Sequence, residues 1–359
     1  MARAAPAVGA PADRTPYTRT IKKLFDVDPT GDVLLDNRYG DIDYEVWDRN
    51  EVKVAVTITV DAASDDRAED VFDRIDIGFS ASDDRVEVVT ALAKSSSWSF
   101  WNWSGGDEEF EIDYVVHAPA GFDVEVHNRY GDVRLADLAG DADLEIRYGD
   151  LAAGDIAGDA EVTVAYGDAR LGRVGDLEAE VRYGELELLS AGRVTLDSRY
   201  SELAFGRVDQ LQLDSRYDEF DIGYLGSLVN EGRYDEFAID TLGEGEVDTR
   251  YTEIRVGYLA DAARMNLHYG DARIADTSPR ISVIDLNGNY ADLAVRLAPE
   301  LRYSLEARGN YTDIDLPSAL TIVRKEKAGN AESYRARTGD DGGSASVVLV
   351  GSYGSIRVE

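Results

Sequence analysis

The only imidazoles in the chain are His117, His127 and His268, and cysteine is absent. Thiolate nucleophiles, disulfides and Cys-based metal sites are therefore excluded. His117 and His127 flank a turn at Pro119 and could approach one another, but no zinc-spaced ligand accompanies them. His268 stands where neighbouring repeats carry arginine. All three are expected to be structural.

Carboxylates are the abundant chemistry: 71 Asp plus Glu against 37 Lys plus Arg, a formal charge of -34. Two carboxylates about 5–9.5 Å apart can cleave a glycoside, so a carbohydrate-binding or carbohydrate-cleaving β-helix is the alternative to weigh. Here the acids recur in columns too uniform to nominate one pair, and an acidic wall repels uronate polymers. GGDEE and RYGD lack the Walker lysine and spacing, and neither an EF-hand loop nor a GGxGxDxUx repeat is present. The expectation is no enzyme, no catalytic residue, no cofactor and no specific metal site, with calcium held at most weakly by the surface. The charge also argues against nucleic acid and anionic lipid as partners.

One loop concentrates aromatic residues. In KSSSWSFWNWSGGDEE, Trp98, Phe100, Trp101 and Trp103 could grip a sugar, a peptide or a membrane edge. They could equally pack onto their own sheet. On the recognition reading they are the candidate ligand contacts.

The elements that position these groups follow from an internal repeat. RYDEF at Arg216–Phe220 returns at Arg233–Phe237. The same phase places Tyr130, Tyr148, Tyr166, Tyr183, Tyr200, Tyr217, Tyr234, Tyr251, Tyr269, Tyr290 and Tyr311 at intervals of 17, 18 or 21 residues. Tyr353 rejoins the phase after an excursion, and Tyr39 in NRYGDI reads as an isolated early copy. Val194, Leu196, Ser198 and Tyr200 share one parity; Leu203 and Phe205 share the other. Period two means strand, and a parity switch across two residues means a corner. Identical residues at one phase favour parallel stacking over antiparallel hairpins. The predicted fold is all-β: a right-handed parallel β-solenoid of about 17–21 residues per rung.

Three columns result. Acids follow the corner, as in Glu219 and Glu236; arginines precede the tyrosine, as in Arg216 and Arg233. These four residues are expected to form a charge ladder, each carboxylate meeting a guanidinium of its own or an adjacent rung. The tyrosines share parity with buried valines and leucines, so their rings are expected to stack inward or at the corner. Between tyrosine and acid stand Gly184, Ser201, Asp218, Asp235 or Thr252. A position that accepts a Cβ should not demand a left-handed turn.

Residues 1–19 read as a flexible leader, 20–120 as a β-rich cap with a helix near 64–75, 121–316 as the regular coil, and 317–359 as a hairpin or loop excursion with a terminal rung. On the helix, Ala68, Val71, Phe72 and Ile75 share one face. No apolar run is long enough for a transmembrane segment.

LLDNRYGDIDYEVWDRNEVKVAVTITV, YVVHAPAGFDVEVHNRYGDVRL and the following YGD, YSE and YDE series resemble bacterial adhesin families with a DUF4097-like or head-GIN-like β-solenoid. The likeness covers about residues 20 to 359. It implies an exported protein of the periplasm, outer envelope surface or medium, its export signal removed, without enzymatic activity. An adhesin or structural scaffold would meet an envelope protein or glycan as partner. A periplasmic protein-interaction module is a further alternative.

Overall fold

Side chains that alternate apolar and charged along the chain form strands, and strands of successive repeats pair in parallel. In Glu219–Arg233, Phe220, Ile222, Leu225, Leu228 and Asn230 are buried, whereas Glu219, Asp221, Val229 and Glu231 are exposed. The spacing of buried positions lengthens from two to three around Gly223 and Gly226, which turns the strand around its core. Each such Phe or Leu contributes about 1.5–3 kcal/mol on burial, and Phe220 and Phe237 stack inside with centroids 4.4 Å apart.

The computed structural model describes residues 14–93, 109–339 and 343–359. They fall into two units, one ending at Ala136 and the other spanning Asp137–Glu359. In the second unit the strands Glu185–Arg199, Glu202–Arg216, Glu219–Arg233 and Glu236–Arg250 run in register, so that Arg199, Arg216, Arg233 and Arg250 form one row. Glu202, Glu219, Glu236 and Glu253 form another. His268 falls opposite Arg250, in the arginine row. The result is a repetitive, solenoid-like β architecture.

Spatial order departs from chain order at the carboxyl end. Ala345–Ser352 pairs in parallel with both Val283–Val295 and Tyr303–Asn310. Tyr353 therefore stacks between Tyr290 and Tyr311, at 4.8 and 5.1 Å. The rung that comes last in sequence is not last in space. The excursion forms an antiparallel hairpin, Thr321–Ala328 with Ala331–Arg337, whose second strand lies antiparallel to Tyr303–Asn310.

The first unit mixes both pairings. Glu51–Ala62 is antiparallel to Thr15–Asp26 and to Glu109–Pro119, while Thr30–Arg38 is parallel to Arg85–Leu92 and Gly121–Arg129. Tyr39 is consequently not isolated: its ring lies 5.2 Å from that of Tyr130, within 3° of parallel. The helix is Asp65–Phe72, capped by Ser64 and burying Ala68, Val71 and Phe72. Ile75 opens the next strand, Ile75–Ala81, instead of continuing the helical face.

The corners depart from the sequence expectation. All thirteen phased tyrosines, Tyr39 included, have φ between 52° and 64°. The left-handed residue is thus the tyrosine itself, not the residue after it, and in the second unit the rings point outward with 43–56% of their surface exposed. The physical reason lies in the hydrogen-bond ladder. Tyr217 N donates to Arg233 O of the following rung, whereas Glu219 N donates to Ser201 O of the preceding one. One left-handed residue reverses strand parity while leaving both amides bonded. It costs about 1–2 kcal/mol for an L-residue.

Candidate functional site

The most regular surface of the second unit is the tyrosine ridge and its flanks. Eleven rings from Tyr148 to Tyr311 stack with centroids 4.7–5.1 Å apart and tilts of at most 9°. Each interface adds about 0.5–1.5 kcal/mol, which offsets much of the backbone cost. Ring faces inside the stack are covered by their neighbours, so a sugar cannot lie flat on them. Ring edges are what the ridge offers.

On one flank, arginines meet acids two residues back on the same strand: Arg147 with Glu145 at 2.9 Å, Arg182 with Glu180 at 2.7 Å, and Arg199 with Asp197 at 3.6 Å. Further along, Arg199, Arg216, Arg233 and Arg250 line a recess of about 480 Å³ with Asp214, Glu231 and Asp248. On the other flank, Arg255 bridges Glu236 and Glu253. The guanidinium that reaches Glu236 thus comes from the short arm of the next rung, not from Arg233. Among the described residues no ion pair joins Arg216 to Glu219. These pairs are exposed and each is worth about 0–1 kcal/mol.

Beneath the ridge, at the position expected to be a tolerant turn, lies a polar corner. Ser198, Ser201, Ser215, Asp218, Asn230, Asp235, Thr249 and Thr252 are all buried, at 0–4% exposure. Asp218 accepts from Ser198 Oγ, Ser201 N and Arg216 N, each at 2.8 Å. Asp235 accepts from Ser215 Oγ at 3.0 Å and from Asp218 N at 3.1 Å. Burial raises the Asp235 carboxyl to about 7, against the lowering effect of the Asp218 and Arg233 N–H groups and the Ser215 hydroxyl; the Asp218 charge adds to the rise. Burial likewise raises Asp218.

A signal for this corner was present in the sequence as an exchange of size. Where the residue two before the tyrosine is large (Ile146, Val164, Val181, Leu267), the residue after it is glycine (Gly149, Gly167, Gly184, Gly270). At the two corners where the first is Ser215 or Gly232, the second is Asp218 or Asp235. The two positions share one space: a Cβ on Gly232 would sit 2.4 Å from Asp235 Oδ2.

The remaining candidates separate. His117 Nδ1 lies 3.1 Å from Glu45 and its ring 5.2 Å from Trp47, whereas His127 faces Glu125 at 3.6 Å. The histidines are engaged by different partners. Trp98, Phe100, Trp101 and Trp103 lie outside the described residues. Among those described, no three His, Cys, Asp or Glu side chains gather as a metal-ligand set. No described helix is long and apolar enough to cross a membrane.

No family model and no curated protein matches the sequence. The chain is similar in structure to a "putative adhesin" from Parabacteroides distasonis, at 12% identity and a TM-score of 0.35, over 77% of this chain and 97% of that one. A "putative adhesin" from Parabacteroides merdae gives 11% identity and 0.34, over 77% and 95%. One from Bacteroides fragilis gives 12% and 0.32, over 78% and 97%.

Proposed function

We propose that this chain is a non-catalytic, exported envelope or cell-surface protein, an adhesion module or scaffold built on a right-handed solenoid. The carrying observation is the uninterrupted ridge of eleven outward tyrosines, flanked by rows of opposite charge. Ridge and rows repeat at strand spacing, about 4.8 Å, and offer an extended partner many equivalent weak contacts rather than one convergent site. Such a surface suits adhesion through summed contacts better than turnover, which needs a few groups held uniquely. An envelope protein or a neutral glycan met at ring edges and hydroxyls fits this chemistry. The tryptophan loop is the competing contact.

Asparagine tolerates a left-handed backbone, so Tyr217→Asn with Tyr234→Asn removes two rings and preserves the corners. Immobilised glycans and purified envelope proteins, probed with this variant and with Trp98, Trp101 and Trp103 changed to Ala, separate the two surfaces. The expected result is binding weakened by the tyrosine changes in a protein that stays folded at the assay temperature, with a melting temperature lowered by the loss of three ring interfaces. Binding lost only with the tryptophans would move the contact to the loop.

A second reading, a protein-interaction module, draws on the hairpin. All eight residues of Thr321–Ala328 are exposed, Arg324, Lys325 and Lys327 among them. A cationic strand edge on a chain of charge -34 would suit an acidic partner strand.

A further inference from the structure

Two carboxylates lie in consecutive rungs inside the coil with no cation beside them. Asp218 and Asp235 are 3% and 4% exposed, and no described Lys or Arg side chain forms an ion pair with either. Flanking residues fix their relation: Arg216 lies opposite Arg233, and Glu219 opposite Glu236. The two corners are therefore one strand spacing apart, about 4.8 Å. Each carboxylate is held by hydroxyl and amide donors, and Asp218 N itself donates to Asp235 Oδ1. Two negative charges at this separation, away from water and without a counter-charge, cannot both persist cheaply.

The surroundings supply no alternative neutralisation. The preceding rung contributes Ser198, Ser201 and the charge of Asp197, which opposes ionisation of Asp218. The corners' own rungs contribute Ser215 and the backbone amides of Arg216 and Arg233. The following rung contributes Thr252, whose Oγ1 accepts from Asp235 N at 3.4 Å. Asn230, 1% exposed, places its Oδ1 3.4 Å from Ser215 Oγ and leaves Nδ2 without a partner. Two residues after each aspartate, Phe220 and Phe237 are fully buried and stack on one another.

We propose that Asp218 and Asp235 form an interior proton-binding site: near neutral pH the pair holds one proton, and losing it loosens the rungs from Ser198 to Thr252. The two carboxyls do not bond to each other; the Asp218 charge opposes ionisation of Asp235, so the proton behaves as the property of the pair rather than of one residue. Tyr217 and Tyr234 immediately precede the two aspartates, so the occupancy of this site sets how firmly the middle of the ridge is held. The site acts as a pH-dependent stiffener and does not depend on the adhesion reading.

The sign follows from linkage. A carboxyl that binds its proton more tightly when folded favours the folded state at low pH, and that advantage is lost as pH rises toward the folded value. For Asp235, raised to about 7, the window runs from the ordinary carboxylate range to neutrality. The whole-chain charge gives a slope of the same sign, so the test is a difference. Urea unfolding of wild type and Asp235→Asn between about pH 5 and about pH 8 should show the wild-type folding constant falling by roughly 10²-fold more than the variant's. Equal slopes would overturn the proposal.

Should Asp235→Asn fail to fold, ¹³C-carboxyl NMR of the wild type reads the pair directly. One aspartate signal titrating near neutrality, and shifting in Asp218→Asn, is expected. All aspartates titrating in the ordinary carboxylate range would overturn it. Alkaline stability restored by sodium chloride but not by choline chloride at equal ionic strength would overturn it too, because a metal cation would then neutralise the pair.

Discussion

The corners at Tyr166 and Tyr183 and those at Tyr217 and Tyr234 look alike from outside and are built oppositely within. In the first pair, Val164 and Val181 fill the space and Gly167 and Gly184 let adjacent backbones approach; a Cβ on Gly184 would sit 1.9 Å from Gly167 O. In the second pair, Ser215 and Gly232 make room for Asp218 and Asp235, which bond across rungs. Yet the rings above stack at 5.0 Å in one case and 4.7 Å in the other. The outer ridge is therefore set by the left-handed tyrosine, and the interior is free to be dry or polar so long as its volume is conserved.

Exchanging the two interiors should have the largest effect on stability. Gly184→Asp drives a side chain into backbone beside Val181 and should cost roughly 4 kcal/mol or more. Asp218→Gly leaves the Ser198 hydroxyl and two amides without their acceptor and should cost about 2–3 kcal/mol. Urea unfolding measures both, and Val181→Ser added to Gly184→Asp should recover part of the first loss. Tolerance of Gly184→Asp alone would show that the two positions do not share one space.

A smaller effect tests what the two corner types have in common. Tyr217→Ala loses the stack and keeps the left-handed cost, whereas Tyr217→Gly loses the stack and removes that cost. The glycine variant should be the more stable by about 1 kcal/mol, and calorimetric melting decides it. Alanine equal to or better than glycine would deny the left-handed corner.

The repeat was readable because equal residues stack only when equal phases coincide. Leu211, Leu213 and Ser215, against Phe220 and Ile222, announce both the strand and the switch of parity. The conformation behind that switch was hidden, since tyrosine has no preference for positive φ and glycine nearby drew attention to the wrong position. Asp218 and Asp235 read only as tolerated turn residues, because one residue's parity changes meaning at a left-handed corner. The placement of Val347–Val358 between earlier rungs was hidden too. Register repeats every rung, so the sequence identifies a rung without ranking it in space.

The smallest expected effect concerns the charged rows. Double-mutant cycles should give Arg216 with Glu219 a coupling below about 0.3 kcal/mol and Arg255 with Glu236 about 0.5–1 kcal/mol, falling with added salt. A larger coupling for the first pair would restore the same-corner bridge suggested by the sequence.

The most direct measurement is the backbone torsion of the phased tyrosines, from chemical shifts and scalar couplings of the tyrosine-labelled protein. The expected result is φ between 52° and 64° at each of these tyrosines from Tyr148 to Tyr353, with ring contacts only between neighbours in the stack, including Tyr353 with both Tyr290 and Tyr311. Negative φ at Tyr200, Tyr217 and Tyr234, with rings shielded among Leu213, Phe220 and Phe237, would contradict it.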